Sequence, residues 1–318
     1  MSALSDLPRT AEAPLQISKG LWLGLLGIVL FSATLPMTRL AVGSIEAPQM
    51  SGLFIAAGRA VVAAALSAVF LLVTRAPLPR RADWWPLLIT AGCVVFGFPF
   101  LTSIAMRYVE AMHASVIVGV LPLATAAVGA LLHRQHPSKG FWACAALGSA
   151  LVVAFALLKS GSAGGQGGVS LRFADLLLLA AMLCAAVGYG YGARLSQRMR
   201  AEHVICWALV ISLPLTLPLA FISWPQTPVT AAAWWGFAYV AVFSMWLGFF
   251  AWYRGLALGG TVRVSQVQLV QPFLSMLFAV PLLGERLDAV TVGFALAVIA
   301  TVFIGKKMPV GVVVGIVK

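Results

Sequence analysis

The sequence predicts an all-α integral membrane protein, with ten transmembrane helices arranged as two inverted five-helix repeats. Of its 318 residues 61% are hydrophobic and only 9% are charged, whereas about a quarter of the residues in a soluble globular chain are charged. Ten apolar stretches are each long enough to cross a bilayer. Residues 150 positions apart also match between the two halves of the chain.

The apolar stretches divide the chain into two halves of five spans. They lie at roughly 21–44, 50–74, 84–107, 111–133, 139–158, 173–194, 203–224, 232–254, 261–283 and 287–306. Most connections are short, so consecutive helices are expected to be antiparallel neighbours. The predicted organisation is a cytoplasmic N-terminal tail (1–19), a first repeat (20–158), a Gly/Ser linker (159–171), a second repeat (172–307) and a C-terminal tail (308–318).

The basic residues predict the orientation of the chain. The net charge of +12 would suggest nucleic acid in a soluble protein, but here most Lys and Arg residues fall in connections between spans. They concentrate on one side of the membrane, the cytoplasmic side if the N-terminus is cytoplasmic. We therefore expect both termini in the cytoplasm, a bacterial-type inner (plasma) membrane location, and no nucleic-acid partner.

An internal repeat is visible at a constant offset of 150 residues. The matched pairs are Trp84 and Trp85 with Trp234 and Trp235, Phe100 with Phe250, Ser115 with Ser265, Pro122 with Pro272, and Thr125 with Ser275. Five helices per half would turn the second half upside down relative to the first. Inverted repeats of this kind are typical of secondary transporters, which bind their substrate at the repeat interface.

Polar residues follow one face of the ninth span. Ser265, Gln268, Gln271 and Ser275 fall within a third of the helix circumference. An amide that faces lipid lacks partners, so this face should meet protein or a water-filled cavity. Pro272 is expected to free the carbonyl of Gln268 as a further acceptor. The face therefore predicts either a substrate-lining helix or interhelical hydrogen bonding.

Arg59 lies well inside the second span, where an unpaired arginine costs at least about 2.5–3.5 kcal/mol. No span offers a carboxylate partner. Two interpretations remain open, in which Arg59 binds freed backbone carbonyls or an anionic group of the substrate.

Aromatic residues recur along the eighth span at helical spacing. Tyr239, Phe243, Trp246, Phe250 and Tyr253 are predicted to form one stripe, which serves packing or provides a stacking wall for a flat or cationic substrate. In the sixth span, Tyr189 of the glycine-rich run GYGYG is a further candidate for the cavity wall. Prolines predict helix breaks that suit gating at Pro36, Pro122 and Pro272.

The sequence carries no catalytic constellation, no metal-ligand spacing and no Walker motif, so we expect no cofactor and no metal. A membrane-embedded enzyme or a scaffold protein is the competing class. No acidic residue or histidine lies in the middle of a predicted span. Because proton-driven transporters usually keep such a group within the membrane, we expect movement down the substrate's own gradient. Glu285 is the residue most able to overturn this expectation.

Three features carry a resemblance to a known family. They are Arg59 in the second span, the run QPFLSMLFAVPLLGER in the ninth, and Gly284–Arg286 ending before Asp288. With them the chain resembles the EamA family of the drug/metabolite transporter superfamily. Within that family, the aromatic-rich second half makes the YddG-type aromatic amino acid exporters the nearest comparison. One departure is Gln135, which stands where the first repeat of the family often has a glutamate.

The resemblance implies a monomeric ten-helix transporter that works by alternating access. Its implied substrates are small metabolites, above all aromatic or other apolar amino acids, with drugs or organic cations as the alternative. Its implied partners are the small-molecule substrate and the lipid bilayer.

Overall fold

The computed structural model describes residues 9–132, 135–161, 173–306 and 310–312, and these residues are almost entirely helical. The first half contains α1 (Arg9–Ser32), α2 (Thr34–Val42), α3 (Gly52–Val73), α4 (Trp84–Thr90), α5 (Phe98–Ala105), α6 (Ala111–Val118), α7 (Leu121–Leu132) and α8 (Lys139–Gly161). A single 3₁₀ turn over Arg81–Asp83 leads into α4.

The second half contains α9 (Phe173–Leu195), α10 (Ala201–Ile222), α11 (Ala231–Tyr239), α12 (Gly248–Gly259), α13 (Thr261–Val264), α14 (Gln271–Leu283) and α15 (Ala289–Lys306). Most of the linker predicted at 159–171 lies outside the described residues. The predicted C-terminal tail is described only at Val310–Val312. These residues form strand β2, which pairs antiparallel with strand β1 (Gln135–Pro137), a contact that the sequence did not predict.

Within the described residues, seven helical stretches are long and apolar enough to cross a membrane. They are Gln16–Val42, Gly52–Val73, Arg81–Ala105, Ala111–Leu132, Phe173–Leu195, Ala201–Ile222 and Ala231–Gly259. Val267–Leu283 and Ala289–Thr301 are shorter apolar helices. Since α1 begins at Arg9, helical structure starts within the predicted N-terminal tail. The spanning stretch begins at Gln16, a few residues before the predicted start.

The helix ends follow local sequence signals. The Ser51 side chain accepts a hydrogen bond from the amide of Phe54 at 3.0 Å and caps α3, and Thr230 caps α11 in the same way. Gly284 ends α14 with φ at +67°, a left-handed conformation that favours glycine.

Five helical stretches are interrupted rather than continuous. A turn at Ala33 separates α1 from α2, and Gly119 and Val120 separate α6 from α7. Wide π-helical turns over Ala91–Gly97 and Val240–Leu247 join α4 to α5 and α11 to α12. A 3₁₀ segment over Ser265–Val270 joins α13 to α14.

Small residues allow a close contact between α1 and α12, the most extensive helix contact among the described residues. A Cβ added at Gly20 would lie 2.5 Å from the amide nitrogen of Gly259, and one at Gly255 would lie 2.7 Å from that of Gly24. Two glycine pairs spaced four residues apart therefore let the backbones meet, as in other membrane helix pairs. The remaining close pairs include α3 with α10, α8 with α15, α6 with α14, and α9 with both α5 and α7.

Candidate functional site

A nearly closed cavity lies where the helices of the two halves meet. Its walls are formed by Phe31, Thr34, Leu35, Arg59, Val94, Phe98, Val118, Leu121, Tyr189, Ser244, Met245, Phe249 and Gln271. The centre of a water molecule can reach only about 20 Å³ of it, which is room for about one water. A metabolite can therefore enter only if the surrounding helices move apart.

The helix interruptions converge on this cavity. Phe31 and Thr34 flank the turn at Ala33, and Val118 and Leu121 flank the break between α6 and α7. The two π-helical turns and the residue that follows the 3₁₀ segment supply further wall residues. Irregular backbone within a membrane is tolerated where it is buried in protein or lines a cavity, and this arrangement meets that condition.

Arg59 is the charged residue of the cavity wall, and its side chain is only 1% exposed. Its Nη2 donates a hydrogen bond to Ser244 Oγ at 3.0 Å, and Ser244 Oγ lies 2.8 Å from Thr34 Oγ1. Among the described residues, Nε and Nη1 of Arg59 have no hydrogen-bond partner. The interpretation in which Arg59 binds backbone carbonyls is thus wrong for the described part of the chain, because its one protein acceptor is a hydroxyl.

Ser244 was missed by the sequence reasoning. It is the single polar residue of the run Val240–Leu247, in the middle of the eighth span, and this isolated hydroxyl was the available signal. The π-helical turn directs it towards the second span, where it orients Arg59.

An aromatic wall lines the cavity beside Arg59. Phe31 and Phe249 lie 4.9 Å apart between ring centroids, Phe31 and Tyr189 stack at 6.4 Å, and Tyr189 meets Phe249 at 6.0 Å. These three rings come from α1, α9 and α12. The expectation that Tyr189 belongs to the cavity wall agrees with its position, whereas Phe31 and Phe249 were not identified from the sequence.

The predicted aromatic stripe of the eighth span is wrong as a single face. Phe243 is 43% exposed, whereas Tyr253 is fully buried and donates to the carbonyl of Gly188 at 3.2 Å. Tyr239 donates to the carbonyl of Leu30, and Trp246 packs against Phe70. The π-helical turn over Val240–Leu247 contains an extra residue, so side chains on either side of it no longer share the face that a 3.6-residue period predicts.

The polar residues of the ninth span have different surroundings. Gln271 lines the cavity. Ser275 Oγ donates to the carbonyl of Ser32 at 2.7 Å and joins α14 to α1. Ser265 is buried, and so is Gln268, whose two amide atoms have no partner among the described residues. Gln271 thus fits the cavity-lining interpretation, whereas Ser275 fits the helix-joining one.

The carbonyl of Gln268 is not free, so that expectation is wrong. It accepts a hydrogen bond from the amide of Gln271, because the backbone before Pro272 is a 3₁₀ helix, in which each carbonyl bonds three residues ahead.

The three candidate prolines each follow a helix interruption. Pro36 is the third residue of α2, and Pro122 and Pro272 are the second residues of α7 and α14. The first turn of a helix has unpaired N–H groups in any case, so a proline there loses no hydrogen bond. These prolines therefore begin helices at the cavity rather than bending continuous ones.

A buried ionisable pair joins the two halves and was not expected. His113 Nε2 of α6 lies 2.6 Å from Asp175 Oδ1 of α9, and both residues are buried. Each was judged to lie near a helix end, and their 62-residue separation gives no local signal. The structure thus has a titratable pair inside the helix bundle, although it lies outside the cavity wall.

Glu285 joins the halves at the same end of α6. Its Oε1 and Oε2 accept hydrogen bonds from the amides of Ala111 and Met112, at 2.7 Å and 2.8 Å. The carboxylate therefore satisfies two amides that α6 cannot pair within its own first turn. Burial raises the pKa of Glu285 above its usual value, although the two amide bonds act in the opposite direction.

A cavity lined by interrupted helices from both halves, together with seven described stretches that are long and apolar enough to cross a membrane, is typical of a multi-pass membrane transporter. The chain belongs to the EamA-like transporter family, whose pattern it matches over residues 18–158 and again over 172–305. Membership of a transporter family argues against the two competing interpretations, a membrane-embedded enzyme and a scaffold protein.

Two relatives from Bacillus subtilis (strain 168) carry names without a substrate. The chain is 42% identical to the uncharacterized transporter YdeK over 288 residues, which cover 89% of this chain and 96% of that one. It is 23% identical to the uncharacterized transporter YyaM over 267 residues, which cover 81% and 85%. A protein of known crystal structure shares the fold, with a TM-score of 0.61, 18% identity and coverage of 90% and 96%.

Proposed function

We propose that the protein is a secondary transporter that exports small metabolites bearing a carboxylate, above all amino acids with aromatic or other apolar side chains. The observation that carries this proposal is the buried guanidinium of Arg59, whose Nε and Nη1 have no acceptor among the described residues. A buried donor without a partner costs about 1–3 kcal/mol, and more when it is charged. A substrate carboxylate offers acceptors to these donors.

The geometry of Arg59 favours a carboxylate. The guanidinium fork can donate two parallel hydrogen bonds to the two oxygens of a carboxylate. The parallel N–H pairs of a guanidinium are Nε with Nη2 and Nη1 with Nη2. Ser244 holds one of the two Nη2 N–H groups, so the other remains to pair with Nε or with Nη1 on a substrate carboxylate.

The aromatic wall favours a flat or apolar side chain on the same substrate. Phe31, Tyr189 and Phe249 lie beside Arg59 in the cavity wall, and aromatic pairs gain from offset or edge-to-face contact. The same rings would also attract an organic cation, which supports drug or cation efflux as the alternative. A permanently charged arginine in that wall repels cations, so we rank amino acids first.

Alternating access requires the cavity to open to each side in turn, and the helix interruptions provide the places where it can bend. The prolines that begin α2, α7 and α14 would let the outer parts of these helices move while the contacts at the cavity persist. Pro36, Pro122 and Pro272 are thus the proposed gating positions. No ATP-binding motif is present in the sequence, so the proposed transport depends on gradients.

We further infer ten transmembrane helices in two inverted repeats. The π-helical turns over Ala91–Gly97 and Val240–Leu247 lie about 150 residues apart, as do the break at Gly119 and Val120 and the end of the 3₁₀ segment. The family pattern matches twice. The first helix of each half also packs against the other half, since α1 packs on α12 and α9 packs on α5.

The charge distribution supports a bacterial inner (plasma) membrane location with both termini in the cytoplasm. The family resemblance supports a monomer. Export rather than import is likewise proposed on that resemblance.

The test compares phenylalanine with phenethylamine, which lacks only the carboxylate. Binding to purified protein is measured by thermal shift, and transport is measured in proteoliposomes. Arg59→Lys keeps the positive charge but loses the fork. We expect it to weaken phenylalanine binding at least about tenfold, which corresponds to 1.4 kcal/mol, and to leave the weak response to phenethylamine unchanged.

Equal sensitivity of the two compounds to Arg59→Lys would contradict the carboxylate assignment. A stronger response of the wild type to phenethylamine than to phenylalanine would favour organic-cation efflux instead.

A further inference from the structure

A second cavity lies at the end of α3 and the beginning of α10, away from the cavity that contains Arg59. It lies between the connection that leads into α4 and the connection between α9 and α10. The centre of a water molecule can reach about 340 Å³ of it, far more than the 20 Å³ of the first cavity. It is therefore open to a ligand in the conformation described here.

The wall of this cavity is strongly basic. Arg80, Arg198 and Arg200 line it, opposed by the single carboxylate of Asp83. Three guanidinium groups against one carboxylate leave the wall positively charged.

The three arginines are only weakly engaged by the protein. Arg198 Nη1 lies 3.4 Å from Asp83 Oδ1, and the Arg198 side chain is 51% exposed. Arg200 Nε lies 3.9 Å from Glu202 Oε2, because Glu202 makes its short 2.6 Å bond with Arg254 instead. Arg80 makes no ion pair within the described part of the chain. Most guanidinium N–H groups here are thus free to bind an anion.

Two further wall residues fit a ligand at a membrane surface. His203 is only 3% exposed, and its Nε2 lacks a hydrogen-bond partner among the described residues. Trp207 supplies an indole, a group that favours the boundary between headgroups and hydrocarbon. Since α3 and α10 are spanning helices, their ends lie at the depth of the lipid headgroups.

We infer that this cavity binds the phosphate group of an anionic phosphate ester, with the arginines as its ligands. Arginine forks match phosphate oxygens in pairs, and basic pockets between helix ends are suited to anionic headgroups. The phosphate can come from a lipid such as phosphatidylglycerol or from a soluble phosphate ester. The inference does not depend on the proposed transport substrate, since it rests on different residues.

The test combines native mass spectrometry with thermal unfolding of the full-length protein. Wild-type protein is mixed with phosphatidylglycerol, with phosphatidylcholine, or with glycerol 3-phosphate. The variant is Arg80→Gln with Arg200→Gln, which leaves the pair between Arg198 and Asp83 intact. Arg81→Gln is the matched control, because Arg81 is exposed at the same end but does not line the cavity.

We expect phosphatidylglycerol to be retained and to raise the unfolding temperature, and the double variant to lose at least about tenfold in affinity. Phosphatidylcholine should have little effect, and Arg81→Gln should behave as the wild type. Arg198→Lys, which keeps a cation beside Asp83, should weaken retention without loss of folded yield.

The outcomes separate the two sources of phosphate. An effect of phosphatidylglycerol but not of glycerol 3-phosphate identifies a lipid headgroup, whereas an effect of both identifies a phosphate site that needs no acyl chain. Absence of an effect with either compound, or an equal loss in Arg81→Gln and the double variant, would overturn the inference in favour of general surface charge.

Discussion

At the scale of single residues, Ser244 decides what Arg59 can do. Its hydroxyl accepts a hydrogen bond from Arg59 Nη2 and lies 2.8 Å from Thr34 Oγ1. One small polar network therefore joins the first, second and eighth predicted spans. An arginine can be buried so completely only if its position is defined by such contacts, because each unmet donor costs free energy. The guanidinium is thus oriented before any ligand arrives.

Ser244→Ala tests this orientation. Removal of the one acceptor that the described residues provide for Arg59 should lower the apparent affinity for phenylalanine by about tenfold, since a buried charged donor is left without its partner. Transport assays in proteoliposomes measure the effect. Ser212→Ala is the control, because Ser212 Oγ donates to the carbonyl of Ala208 within its own helix and does not line the cavity. If both variants lost affinity equally, Ser244 would have no special role at the site.

Single-residue arguments from the sequence rested on the cost of burying polar groups, and the residues that they singled out are buried in the structure. Arg59 was identified because a charge inside a span needs a partner whatever the local helix geometry. Ser275 and Gln271 were identified for the same reason, although one joins helices and the other lines the cavity. The pairing of His113 with Asp175 was not predicted, because only the tertiary structure brings their side chains within 2.6 Å of each other.

At the scale of helices, apolar length predicted where helices lie, whereas the 3.6-residue period did not predict which residues of the eighth span share a face. The predicted spans agree with the observed helices to within a few residues at most ends. The aromatic stripe failed because the π-helical turn over Val240–Leu247 rotates the residues that follow it. A 3.6-residue period does not predict such a turn, since the extra residue is accommodated by contacts with other helices.

The contact between α1 and α12 gives a prediction at this scale. Gly255→Ala should destabilise the protein by about 1–3 kcal/mol through overpacking, because its Cβ would lie 2.7 Å from the backbone of Gly24. Gly293→Ala in α15 should be neutral or stabilising, since its Cβ would meet nothing within 4 Å and alanine favours helix. Unfolding in mixed detergent micelles measures both. Equal stability of the two variants would mean that the glycine contact does not limit how closely these helices pack.

At the scale of the whole molecule, the two halves are joined at one end of α6 by ionisable groups. Asp175 bonds His113, and Glu285 bonds the amides of Ala111 and Met112. These contacts must loosen if the halves separate at this end during transport. His113 and Asp175 lie near helix ends, as the sequence indicates, yet both are buried inside the bundle, whereas the described cavity wall contains no carboxylate and no histidine.

Because the cavity wall lacks a titratable carboxylate or histidine, we predict movement of amino acids down their own gradient. Proteoliposomes with an imposed pH gradient or membrane potential test this prediction. Accumulation of phenylalanine above equilibrium with only a pH gradient would contradict it. Asp175→Asn and Glu285→Gln would then be compared, to find which group carries the coupling.

A structure of the protein bound to phenylalanine tests the central claim most directly. We predict the amino acid in the cavity, with its carboxylate oxygens about 3 Å from one parallel N–H pair of Arg59, either Nε with Nη2 or Nη1 with Nη2, and its ring against Phe31, Tyr189 and Phe249. Phenylalanine bound elsewhere, with Arg59 still in contact only with Ser244, would contradict the claim.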